Sequence, residues 1–151
     1  MRVFSLLPLV FLLVFLVSCA TVPPTKSSKP QIEHDGLAAQ ELSVGECGIF
    51  LWTLSTPPVF SFFQKQESSE AKLFLEDSQT ILTTLANTQN LKDLANIDIS
   101  YLTPAGKTVK LKAQFGEELT GGRRIHSGAL HVQDTHGWQK IIPVSGVYVC
   151  R

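Results

Sequence analysis

Four histidines and three cysteines carry most of the side-chain chemistry open to this chain. His131, Asp134 and His136 form an H-x-x-D-x-H pattern, and imidazole with carboxylate is a donor set for zinc. The pattern runs from a strand end into a turn, where Asp and His also serve turn geometry, so a plain turn is expected and no metal is assigned. His126 adjoins Ser127, but strand neighbours point to opposite faces of a sheet, so the ring is not expected to act as base for the hydroxyl. The sequence holds no G-x-S-x-G elbow to expose a nucleophilic serine. Gly121-Gly122-Arg123-Arg124 offers glycine amides and two guanidiniums to a phosphate; a glycine turn with a solvated basic shoulder is the simpler expectation. No enzyme activity and no cofactor is predicted.

The cysteines are more informative. Met1-Arg2 is followed by an uncharged apolar run that ends at Leu16-Val17-Ser18-Cys19. A basic start and a hydrophobic segment make a secretory signal. The run is at the short edge of the roughly 20 residues a spanning helix needs, and no basic stop-transfer cluster follows it. Leu16-Val17-Ser18-Cys19 resembles the lipobox of bacterial lipoproteins. The resemblance covers residues 1–19 only. It implies that Cys19 receives a diacylglycerol, that the signal is cut after Ser18, and that the new amine is acylated. It also implies an address: lipid-anchored to the bacterial cell membrane, with Ala20 after the cysteine favouring the outer membrane, facing the periplasm. One acyl chain holds a protein only marginally, whereas two or more anchor it stably.

With Cys19 lipidated, Cys47 and Cys150 remain, and an exported compartment permits them to form a disulfide. Two free buried thiols or a metal pair are the alternatives. In the chain-entropy model, closing a loop of about 100 residues is worth roughly 4–5 kcal/mol.

The elements that must position these residues begin with a tether. Residues 1–18 read as signal, 19–41 as lipidated cysteine and flexible tether, and 42–151 as the folded domain. Val22-Pro23-Pro24 and Ser27-Ser28-Lys29-Pro30 are too poor in apolar residues to build a core, and such a linker reaches roughly 25 Å as a coil. From Leu42 onward, short apolar runs alternate with turns. Cys47–Leu54 is apolar on both faces, and Val59–Phe63 resumes beyond Pro57-Pro58. Glu76–Gln79 reads as a hairpin turn between Ala71–Glu76 and Thr80–Leu82. Leu91 and Leu94, after a cap at Asn90, suggest one short helix. Val109, Leu111, Ala113 and Phe115 alternate with Thr108, Lys110, Lys112 and Gln114, the clearest half-buried strand. Arg124–Gln133 fits one face only if a bulge near Gly128 lets Ile125 join Leu130 and Val132. The fold class that follows is all-β: a small antiparallel sandwich or barrel of about 7–9 strands, with at most one short helix, closed by the disulfide. Bridging Cys47 to Cys150 brings the first and last strands together, which favours a barrel.

Charge limits the partners. Formal net charge is zero, so bulk charge gives no case for nucleic acid. The charge is uneven, however: residues 19–106 hold 5 Lys/Arg against 10 Asp/Glu, a balance of −5, and residues 107–151 hold 7 against 3, a balance of +4. Interleaved strands would cancel the imbalance. Otherwise Lys107, Lys110, Lys112, Arg123 and Arg124 form a basic face for anionic lipid headgroups or another anionic envelope component. Phe50, Trp52, Phe60, Phe62, Phe63, Phe74 and Trp138 are expected mostly in the core. Phe74 is the exception, sharing a strand face with Lys72 and Glu76 and marking a partner face.

The expected function is a membrane-anchored, periplasm-facing, non-enzymatic interaction or structural module, held to the membrane by its N-terminal lipid. Its partner would be an envelope protein or an anionic envelope component. The alternative is a barrel binding a lipid or other small ligand, although so many large aromatics argue for a filled interior. The cysteine-bracketed domain with its Leu73–Leu82 hairpin is also similar to small periplasmic lysozyme-inhibitor lipoproteins. That family plugs the lysozyme cleft with a Ser-Gly loop. Here Ser127-Gly128 remains without the surrounding pattern, so no functional residue is carried over.

Overall fold

The computed structural model describes residues 35–85 and 95–151. Its strands are β1 (Cys47–Thr53), β2 (Phe60–Lys65), β3 (Glu70–Leu75), β4 (Ser78–Thr84), β5 (Asn96–Leu102), β6 (Thr108–Leu119), β7 (Gly122–Gln133) and β8 (Gln139–Cys150). Each pairs antiparallel with its neighbour in sequence, and β8 closes on β1 to complete an eight-stranded barrel. No helix occurs among the described residues. The signal, lipidation site and most of the tether expected from the sequence, and the short helix expected after Asn90, lie outside them.

Alternation along the strands fills the barrel. Val109, Leu111 and Ala113 on β6 face inward beside Ile97, Ile99 and Tyr101 on β5 and Leu130 and Val132 on β7. Ile49, Leu51, Phe62, Leu73, Leu82 and Val144 complete the same core. An eight-stranded barrel is just wide enough for side chains to fill, and these residues fill it. Tyr101 is fully buried and donates its hydroxyl to Gln64 Oε1 at 2.6 Å, edge-on to Phe62. Gln64 Nε2 in turn reaches Ser68 O and Thr84 Oγ1. The interior therefore holds a polar network whose members have partners, which avoids the cost of burying them unpaired.

Two irregularities set which residues face inward. On β7 the register shifts between Ile125 and Gly128, so Ile125 is buried with Leu130 and Val132, as the hydrophobic pattern requires. On β2, Leu51 pairs with Phe62 but Trp52 pairs with Phe60, leaving Ser61 as the extra residue. Its hydroxyl turns back to Leu51 O at 3.4 Å. A β-bulge of this kind re-aims the side chains on either side of it: Phe62 enters the core while Phe60 stays on the outside, stacked on Trp52 with centroids 5.0 Å apart.

That shift corrects the expected aromatic core. Among the aromatics assigned to it, Phe62 belongs to the barrel interior. Phe63 is buried outside the barrel wall in a second cluster with Leu37 and Leu42, and Phe50, Phe60, Phe74 and Val149 pack against that cluster. Leu37 and Leu42 come from the segment before β1. It runs across the outer face of β1–β3, tied by Leu37 N to Phe60 O at 2.7 Å, Lys72 Nζ to Gln40 Oε1 at 2.7 Å, and Gly45 N to Arg151 O at 2.7 Å. The packed body thus includes residues 37–41, which the sequence reading gave to the tether.

Closure is covalent as well as hydrogen-bonded. β1 and β8 share seven register pairs, from Cys47↔Cys150 to Thr53↔Val144. The first of these pairs is the disulfide, with Cα atoms 4.0 Å apart across 103 residues of sequence. Gly146 has no side chain where β8 crosses β1, since a Cβ there would overlap Phe50 O.

Candidate functional site

The expected partner face does not assemble as one surface. Phe74 is half-buried against the Leu37–Leu42–Phe63 cluster; the chain's own N-terminal segment covers the face that the sequence leaves open. Four of the five expected cations meet carboxylates: Lys107 with Glu76 at 3.2 Å, Lys110 with Asp98 at 3.1 Å, Arg123 with Glu118 at 3.0 Å and Arg124 with Glu117 at 3.7 Å. Arg123 and Arg124, adjacent on β7, diverge. The Arg123 guanidinium lies 4.4 Å from the centre of the Phe115 ring, near Tyr148 at the disulfide end of the barrel. Arg124 pairs outward, half-exposed. A two-guanidinium phosphate cradle is therefore not formed, and Gly121 O accepts from Cys150 N at 2.8 Å.

The two histidine patterns also resolve into local structure. Asp134 Oδ1 accepts from the backbone of His136 at 2.9 Å and Trp138 at 2.8 Å, which makes it the organiser of the β7–β8 turn. His131 Nδ1 lies 3.2 Å from Gln139 Nε2 instead of joining Asp134. Among the described residues, no group of three His, Cys, Asp or Glu side chains is gathered for a metal. His126 and Ser127 depart from the expected opposite facing. The bulge puts both on the solvent side, and no hydrogen bond links them among the described residues. Ser127-Gly128 lies inside β7, with Gly128 held close against Ala113, so it does not form a projecting loop like that of the lysozyme inhibitors.

A different exposed surface emerges around the start of β8. Its outward residues are Ile141, which is 56% exposed, and Pro143. Trp138, in the turn just before, is 79% exposed. Leu54, at the end of β1, is 62% exposed and donates its backbone N–H to Pro143 O at 3.0 Å. Trp52 precedes it on the outer face, partly exposed and opposite Ser145. The β1–β2 loop, Leu54-Ser55-Thr56-Pro57-Pro58-Val59, carries no charge.

The register places cations along one flank of this strip. Lys110 pairs with His131, which pairs with Ile141; Lys112 pairs with Ala129, which pairs with Pro143. A surface hollow of about 360 Å³ runs between Lys110, Lys112, His131 and Ile141. Lys110 is shared with Asp98, while Lys112 has no acidic partner within 4 Å among the described residues.

Sequence reasoning missed Trp52, Leu54, Trp138 and Ile141 because apolar side chains are assigned to a core by default. One signal points the other way: Trp138 sits directly after a turn glycine. The outward facing of Trp52 follows only from the structure, where Ile49 and Leu51 take the inward parity of β1.

At the disulfide end, Glu46 lies 2.7 Å from Lys65 and its carboxylate also accepts from Ser43 N. The Lys65 hydrogen bond, then that of Ser43, hold the Glu46 carboxyl below its ordinary value. Burial pushes the phenols of Tyr101 and Tyr148 up. Comparison with protein-family models, with curated proteins and with solved structures finds no match for this chain.

Proposed function

We propose that the chain is a lipid-anchored envelope protein whose barrel is a non-enzymatic interaction module facing the periplasm. The observation that carries this reading is the Cys47–Cys150 bridge between the first and last strands. Structural disulfides persist in oxidising compartments outside the cytosol, and residues 1–19 supply the matching signal and lipidation motif. Two further features support it. The interior is occupied by the protein's own side chains, which favours work on the outer surface over ligand storage inside. The polar groups within the barrel are engaged with one another and leave no poised reactive centre among them.

The test is affinity capture from envelope extract with the full-length lipidated protein, after cell fractionation. The expected result is a membrane-fraction protein with oxidised cysteines that retains an envelope component. A soluble cytosolic protein with two free thiols would overturn the reading. Specific retention of lysozyme would redirect it to the inhibitor class.

A further inference from the structure

We infer that the apolar strip of Trp138, Ile141, Pro143 and Leu54, with Lys110 and Lys112 on its flank, is a docking surface for an anionic lipid bilayer. This inference rests on the anchored-lipoprotein reading. The strip is contiguous in the sheet: Leu54 bonds Pro143, and Ile141 follows two residues away on the same outward parity of β8. Trp138 stands beyond it, exposed, where the β7–β8 turn closes opposite Asp134. Tryptophan is enriched at membrane–water interfaces, where one side of the ring meets lipid and the N–H meets water.

The occupant is indicated by where the chain enters the barrel. Leu37 is bonded to Phe60, Gly36 sits against Phe60 O, and Phe60 stacks on Trp52. The N-terminal segment therefore joins the barrel beside the strip. Only residues 20–34 separate Asp35 from Cys19. Sixteen Cα steps span roughly 55 Å at full extension and about 22 Å as a coil. A lipid on Cys19 thus keeps the strip within reach of the surface, and such tethering makes a weak contact effectively intramolecular.

Charge fits the same occupant. Lys110 and Lys112 both lie on β6, two strands from Ile141 and Pro143 of β8, on the same outer face. Lysines beside an anionic leaflet are attracted to its headgroups, and the attraction is screened by salt. The uncharged β1–β2 loop next to the strip adds no like charge to oppose the approach.

The two tryptophans of the chain, Trp52 and Trp138, provide the readout. The lipidated protein is placed in phosphatidylethanolamine–phosphatidylglycerol vesicles with or without brominated acyl chains. The Trp138 signal is the emission of wild type minus that of Trp138→Phe, a substitution at an exposed turn position that the fold tolerates. The expected result is loss of most of that signal in brominated vesicles, together with shielding from aqueous iodide. No loss in brominated vesicles, with full quenching by iodide, would overturn the inference.

Parallel mass measurement of the N-terminus separates the two claims. A lipidated protein whose Trp138 stays in water sinks the docking surface and leaves the anchor. If the N-terminus carries no lipid, the same measurement with excess vesicles and the Cys19→Ser chain decides the surface alone. In that chain, Lys110→Gln or Lys112→Gln is expected to lower partitioning onto the anionic vesicles about fivefold each and to leave neutral vesicles unaffected. Equal loss on both vesicle types would contradict the charge component.

Discussion

Two side chains show how position within the barrel decides what a residue does. Tyr101 is enclosed, and its hydroxyl is the partner of Gln64 Oε1. Tyr101→Phe leaves that carbonyl buried without its donor, a loss of about 1–3 kcal/mol, measurable by urea unfolding. Because burial raises the phenol above its ordinary range, the folded state keeps a proton that the unfolded chain releases as pH passes about 10. The stabilisation is therefore complete below that pH and declines as pH rises above it. The steepness of alkaline unfolding should fall in Tyr101→Phe. Phe74 gives the converse lesson. On its strand it alternates with inward residues and looks free, yet Leu37, Leu42 and Phe63 cover it. Phe74→Ser is expected to lower stability by roughly 2 kcal/mol, about half the loss for a fully buried ring. An unchanged melting temperature would return Phe74 to a partner face.

At the scale of elements, the strands read well where one face is wet and poorly where both are apolar. β6 and β5 alternate cleanly, and the β7 bulge follows from the need to bring Ile125 inward. β1 and β2 are apolar on both sides, so periodicity gives no facing, and the bulge at Ser61 separates Phe60 from Phe62 in a way no alternation rule predicts. The outer aromatics are apolar because the residue 37–42 segment lies on them, a contact made mostly by residues the sequence expectation leaves in the tether. The β3–β4 hairpin was legible as a turn, but its conformation is costly. Glu76 and Asp77 both have positive φ, 53° and 59°, in the two-residue loop between Leu75 and Ser78. Such turns favour Asn-Gly or Asp-Gly, and non-glycine residues pay for the left-handed conformation. Asp77→Gly is expected to stabilise the protein by about 0.5–1 kcal/mol, read as a higher urea midpoint at unchanged slope. A lower midpoint would show that the Asp77 side chain contributes more than its backbone costs.

For the whole molecule, sequence and structure agree on an antiparallel β domain whose ends meet at Cys47 and Cys150. The cysteine count and the turn spacing were enough for that, because a bridge between the terminal strands leaves few arrangements other than closure. The candidate surface was less legible. Lys110 and Lys112 were identified from charge, but Arg123 is drawn over Phe115 and the apolar half of the strip depends on which face each strand presents. Removing the bridge with Cys47→Ser and Cys150→Ser is expected to cost roughly 2–5 kcal/mol. The seven register pairs of the β1–β8 seam would then hold the closure without a covalent limit on the unfolded chain. The most direct test of a disulfide-closed, lipid-anchored barrel is the intact mass of the mature protein taken from its native membrane, before and after reduction. The expected species begins at Cys19, carries the mass of its acyl groups, and gains two hydrogens on reduction. An unmodified N-terminus at another residue, or a mass unchanged by reductant, would contradict the account.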